Sequence, residues 1–111
     1  MKLLFNISFL VFSIFACANE TAPEPPANVK ASQGAYSDKI KVEWDAVSGA
    51  TAYAVSKKKE GESQFNKVYY ADYLFYEDFS VLTSINYYYY VTSIKGETES
   101  DPSEIVTGFI K

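Results

Sequence analysis

The six residues Lys39-Ile40-Lys41-Val42-Glu43-Trp44 alternate without error between charged and apolar side chains. Successive side chains of a strand point to opposite faces, so this is the signature of a strand with one face buried. The same beat recurs along the chain. Val29 and Ala31 mark a shorter strand before it, and Tyr53 and Val55 carry it through TAYAVSK. NYYYYVTSI, residues 86–94, is a long run of aromatic and β-branched residues suited to a pleated surface. Residues 65–71 and 74–76 read as two more short strands, and residues 104–110 as the last. Gly34, Ser48-Gly49, Glu60-Gly61 and Gly96 punctuate the gaps. Seven short strands at this spacing, with no helical period, predict an all-β antiparallel sandwich. Ile40, Val42, Trp44, Tyr53 and Val55 are its expected core.

The ionisable residues exclude several chemistries. The ten cations are all lysine, against fourteen carboxylates, for a net charge of −4. A weakly acidic chain without arginine does not bind nucleic acid well, because phosphate contacts need clustered cations. The short run Lys57-Lys58-Lys59, followed by Glu60 and Glu62, reads as a solvated turn flank. With no histidine, the commonest general base and metal ligand is missing. One cysteine cannot build a thiolate zinc site, and Ser-His and Cys-His pairs are impossible. Asp72, Glu77 and Asp78 are too few for calcium, which takes six or more oxygens, and read as solvated carboxylates. No enzyme activity, metal or cofactor is expected.

That one cysteine stands at the end of an apolar N-terminus. Lys2 is followed by a mostly apolar run over residues 3–16, short of the about 20 residues that a membrane-spanning helix needs. A charged start, a short apolar run and small residues at its end describe a secretory signal peptide, residues 1–16. Ile14-Phe15-Ala16-Cys17 resembles a bacterial lipobox, in which the cysteine becomes the first residue and carries lipid; Phe15 stands where that motif usually has a smaller residue. Ala16-Cys17-Ala18 fits the small-x-small rule of ordinary signal peptidase, and cutting after Ala18 would release a soluble, secreted protein. The lipidated reading makes Cys17 the anchor of a protein of the bacterial cell envelope, periplasmic or surface-exposed. Two or three acyl chains hold stably where one binds marginally, each buried methylene adding about 0.8 kcal/mol. Residues 18–27, ANETAPEPPA, hold three prolines and two glutamates. With Cys17 they form a lipidation site and Pro-rich tether, residues 17–27, that lifts a domain over residues 28–111 off the bilayer.

Longer stretches carry a resemblance. PPANVKASQGAYSDKIKVEWDAVSGATAYAVSKK resembles the first half of a bacterial-type fibronectin type III domain, an immunoglobulin-like sandwich. Prolines precede the first strand, a tryptophan ends the second, and S-G-A-x-x-Y-x-V opens the third. In the second half, YEDFSV (residues 76–81) resembles that family's turn after its fifth strand. Tyr87-Tyr88-Tyr89-Tyr90-Val91 resembles the start of its sixth, and Glu99-Ser100-Asp101-Pro102-Ser103 its serine-rich entry to the seventh. The resemblance covers nearly all of residues 24–111. It implies that Tyr87, Tyr89, Val91 and Ser93 point inward toward Trp44, Ile40 and Tyr53. It also implies that the Tyr87 hydroxyl bonds back to backbone within residues 81–84, as a tyrosine corner.

Tyr88, Tyr90 and Thr92 then point outward, where the family more often carries charged or polar residues. Ala54, Ser56 and Tyr69 or Tyr70 are their expected neighbours. Exposed tyrosine beside small residues is a composition of protein-binding surfaces, and it also suits stacking on sugar rings. Tyr88, Tyr90 and Tyr70 are therefore the candidate contact residues. Another envelope or extracellular protein is the expected partner, with carbohydrate as the alternative. A spacer without a ligand is the third reading, and cross-strand aromatic pairing alone also accounts for the tyrosines.

Overall fold

The computed structural model describes residues 21–111. Both candidate cleavage sites and Cys17 lie outside the described residues. Among the described residues eight strands are formed: β1 (Lys30–Ala31), β2 (Ile40–Glu43), β3 (Ala52–Lys59), β4 (Asn66–Ala71), β5 (Phe75–Asp78), β6 (Tyr87–Lys95), β7 (Thr98–Glu99) and β8 (Val106–Gly108). The smaller sheet runs β1-β2-β5, and the larger runs β8-β6-β3-β4 with β7 on the same side of β6 as β8. Every pairing between strands is antiparallel.

The inner faces follow the alternation. Ile40, Val42 and Trp44 from the smaller sheet meet Tyr53, Val55, Tyr87, Tyr89 and Val91 from the larger, and all are buried. Trp44 and Tyr53 pack with ring centroids 5.8 Å apart, and the Tyr53 hydroxyl accepts from the Val47 N–H at 2.8 Å. The Tyr87 hydroxyl accepts from the Leu82 N–H at 2.8 Å, inside the loop segment expected of a tyrosine corner. Among the described residues, the Trp44 indole N–H is the buried side-chain polar group without a hydrogen-bond partner.

Two local features depart from the sequence reading. Strand β5 occupies Phe75–Asp78 rather than residues 74–76, because Tyr76, Glu77 and Asp78 pair with Val42, Lys41 and Ile40. YED is thus strand, and the turn begins at Phe79. The final edge is two strands, not one, because Pro102 has no N–H to donate to a ladder. Serine hydroxyls bridge the break. The Val91 N–H donates to Ser103 Oγ and the Ser93 N–H to Ser100 Oγ, both at 2.9 Å. Between β6 and β7, Gly96 takes φ +61° at the first position of a two-residue turn, as a type II′ hairpin requires.

The end of the tether is also part of the fold. Pro26 is buried, the Ser93 hydroxyl donates to the Glu24 carbonyl at 2.5 Å, and the Asp45 N–H donates to the Ala27 carbonyl at 3.0 Å. Packing against the sandwich therefore begins at residue 24, ahead of the boundary expected at residue 28.

One flank of the sandwich is closed by its two ends. Strand β8 approaches β1, and a parallel bridge joins Gln33 to Phe109. The Phe109 N–H donates to the Ser32 carbonyl at 3.2 Å, and the Gly34 N–H to the Phe109 carbonyl at 2.9 Å. Gly108 permits this approach: a Cβ there would stand 2.7 Å from Ile40 Cγ2 and 3.2 Å from the Ser32 carbonyl oxygen. Ile40 is fully buried and has nowhere to go. Gly108→Ala is expected to cost about 1–3 kcal/mol by overpacking, read as a lower midpoint in urea at unchanged slope.

Candidate binding surface

Among the described residues, no backbone bridges the opposite flank, between β4 and β5. Both are edge strands, one from each sheet. Two rings close the core there, Tyr69 on β4 stacking on Tyr76 of β5 with centroids 4.6 Å apart. The chain around these two strands leaves many large apolar side chains exposed. Of nine exposed large hydrophobic residues among those described, seven lie between positions 68 and 82: Val68, Tyr70, Tyr73, Leu74, Phe75, Phe79 and Leu82. Tyr73 and Phe75 lie nearly parallel, centroids 6.1 Å apart, and the Lys41 amine sits over the Phe75 ring at 5.1 Å.

A groove of about 430 Å³ opens on this flank. Its walls are Asn66 and Val68 of β4 on one side and Phe79, Val81 and Leu82 of the β5–β6 loop on the other; Lys57, Lys59, Glu62 and Tyr87 also line it. The tyrosine corner fixes the loop wall, since the Tyr87 hydroxyl holds the Leu82 N–H.

Lys57 is not the solvated lysine expected from its run, nor is Asp78 a solvated carboxylate. Asp78 is 1% exposed. The Lys57 amine lies 2.8 Å from Asp78 Oδ2, the Tyr89 hydroxyl donates to the same oxygen at 2.6 Å, and the Ser80 N–H donates to Oδ1 at 3.0 Å. Lys57 also donates to the Ser80 carbonyl at 2.8 Å and lies 4.9 Å from the Tyr87 ring centroid. Burial of these groups is satisfied on every side, and the groove's back wall carries a cation already neutralised. Asp72 is exposed and Glu77 pairs with Lys39 at 2.7 Å, so the three carboxylates do not converge.

Burial, the hydrogen bond to Asp78 and the Asp78 charge push the Tyr89 hydroxyl far above the ordinary tyrosine range. Above about pH 10 the unfolded chain sheds this proton while the folded chain keeps it, so stability falls as pH rises from there. Tyr89→Phe is expected to flatten that alkaline limb in chemical-denaturation titrations, while lowering stability at neutral pH because Asp78 loses a donor.

The tyrosines singled out from the sequence lie on the outer face of the larger sheet. Tyr88 and Tyr90 project from β6 and are half-buried. Phe65 packs on Tyr90 with centroids 4.8 Å apart, and the Lys58 amine lies 5.1 Å from the Phe65 ring and 5.5 Å from the Tyr88 ring. Tyr70 faces the same side, opposite Ala54, and is 61% exposed with the Lys67 amine 5.5 Å from its ring. The small residues between them are covered: Ala54, Ser56 and Thr92 are all buried. The cover is a clamp. Lys67 on β4 reaches Glu99 on β7 at 2.6 Å, and the Thr92 hydroxyl donates to the same carboxylate at 2.5 Å. Burial pushes the Glu99 carboxyl up, but the hydrogen bonds from Lys67 and Thr92 and the Lys67 charge outweigh it and hold the group below the usual carboxylate range.

The groove residues Val68, Phe79 and Leu82 were not singled out from the sequence. The available signal was FSVL, residues 79–82, an apolar run at a turn where polar residues are the rule. Among the described residues, no group of three or more His, Cys, Asp or Glu is placed to hold a metal ion.

No family model and no curated protein matches the chain. Solved structures do. An Fn3-like protein from Clostridium thermocellum superposes with TM-score 0.72 and 22% identity, over 82% of this chain and 96% of that one. The structure called FN3tt superposes with TM-score 0.71 and 14% identity, over 81% and 98%. A β-1,2-glucanase from Parabacteroides distasonis matches with TM-score 0.69 and 21% identity, over 81% of this chain but only 13% of its own. Strand order, the tyrosine corner and these superpositions together show that the chain carries a fibronectin type III fold.

Proposed function

We propose that the protein is a lipid-anchored component of the bacterial cell envelope that presents this fold for non-catalytic contact with another protein. One observation carries the reading. The β4–β5 flank leaves apolar side chains uncovered around a groove, while the opposite flank is sealed by β1 and β8. Val68, Phe79 and Leu82, exposed together around one groove, make it a candidate interaction site. Cys17 is the anchor. Residues 24–27 dock on the sandwich and so do not serve as tether. The second reading, carbohydrate contact, is favoured by the exposed parallel rings of Tyr73 and Phe75.

Three measurements test this. Wild type is expected to enter the detergent phase on phase partitioning and Cys17→Ala to stay in the aqueous phase; equal partitioning removes the anchor. Photo-crosslinking in intact envelopes is expected to yield one defined protein adduct that Phe79→Ser/Leu82→Ser abolishes and Tyr88→Ala/Tyr90→Ala does not. Both groove residues are about 60% exposed, so the double variant should fold with near-native stability. Loss of the adduct with the Tyr88/Tyr90 variant instead moves the contact to the outer sheet face. A glycan-array signal abolished by Tyr73→Ala selects carbohydrate.

A further inference from the structure

We infer that the free edge of β4 pairs with an extended segment of the partner protein, which seats a bulky apolar side chain in the groove between Val68 and Leu82. The inference rests on the protein-contact reading above and specifies how that contact is made.

Strand β4 pairs with β3 alone, and among the described residues its other edge makes no backbone hydrogen bond. Such an edge presents a row of donors and acceptors that another extended chain satisfies, which is the basis of strand-addition recognition. Proteins normally blunt such an edge with proline, with outstanding lysine or with a covering loop. Strand β4 is six residues, NKVYYA, without proline. Its one charge, Lys67, is drawn across the outer face to Glu99 and away from the edge.

The ladder between β3 and β4 slips at Val55/Ser56, where Val68 is the extra residue on β4. Bulges often re-aim a side chain, and here Val68 lines the groove. A strand laid beside β4 therefore has every second side chain over Asn66 and Val68, facing Phe79 and Leu82. The groove's volume lies in the range of small-ligand sites, about 300–1,000 Å³, with room for a leucine or an aromatic ring. Asp78 already neutralises Lys57, and the exposed Lys59 and Glu62 on the lining offset one another, so the groove asks for an apolar group rather than a carboxylate. A second copy of this chain paired edge to edge offers only Asn66 and Val68 to each groove and leaves it underfilled.

The test uses a phage-displayed library of random linear peptides, panned against the full mature protein. Enriched peptides are expected to alternate apolar and polar residues. They should lose about tenfold or more in affinity against Leu82→Asp or Val68→Asp and retain it against Tyr88→Ala/Tyr90→Ala. Bound peptide should slow amide hydrogen exchange in β4, and N-methylating alternate peptide amides should abolish binding. Thermal melts confirm that each variant folds. The inference is overturned if nothing is enriched, if binders ignore Val68 and Leu82, if N-methylation has no effect, or if sedimentation shows self-association that Leu82→Asp dissolves. If no strand-like peptide binds while the envelope adduct still depends on Phe79 and Leu82, strand addition falls and the protein-contact reading stands. Failure of both measurements removes both.

Discussion

Lys57→Met should lower the unfolding free energy by about 3–5 kcal/mol, the usual cost of removing one partner from a buried ion pair. Asp78 would keep its negative charge at 1% exposure, with only a phenol and one N–H to stabilise it. For a domain of this size each kcal/mol moves Tm by about 4–8 °C, so the loss is visible in a simple melt. Asp78→Asn in the Lys57→Met background is expected to recover part of that stability, because the amide is neutral yet still accepts from Tyr89 and Ser80. The non-additivity of the cycle measures the pair directly. A Lys57→Met variant within about 0.5 kcal/mol of wild type would mean that the pair behaves as an exposed one, which are typically worth little.

Trp44→Ala should cost a comparable about 3–5 kcal/mol by a different mechanism. The indole is buried at the end of β2, against Tyr53, and its removal leaves a cavity that fixed strands cannot collapse. The comparison with Trp44→Phe is more informative. The indole N–H is buried without a partner, a penalty of about 1–3 kcal/mol in the native state. Phenylalanine removes that donor together with part of the volume. Trp44→Phe is therefore expected to cost less than half of what Trp44→Ala costs, as read by denaturant unfolding. Equal costs would show that packing of the indole alone decides the position.

The two variants also bear on the flank with the groove. Lys57 and Asp78 tie β3 to the end of β5 and, through Ser80, to the start of the loop that carries Phe79 and Leu82. Tyr87 holds the same loop at Leu82. The groove wall is thus fastened at both ends to the core, which suits a surface that meets a partner without first having to order itself.

The strands and their buried faces were legible in the sequence, because alternation is a property of residues two apart on one strand. KIKVEW names its inner face unaided, and the eight residues expected in the core are all buried. What lay beyond reach depends on which strands meet. Lys57 read as part of a solvated run, and only the meeting of β3 with β5 shows it opposite Asp78. Ala54 and Ser56 read as the exposed floor beside two tyrosines, and only the position of β4 allows Lys67 to close over them toward Glu99. The chain's glycines look alike in the sequence, yet Gly108 is the one against which β1 closes. A single strand encodes its own pleat; the sealing of one flank and the opening of the other arise between strands, where side chains distant in the chain compete for the same space.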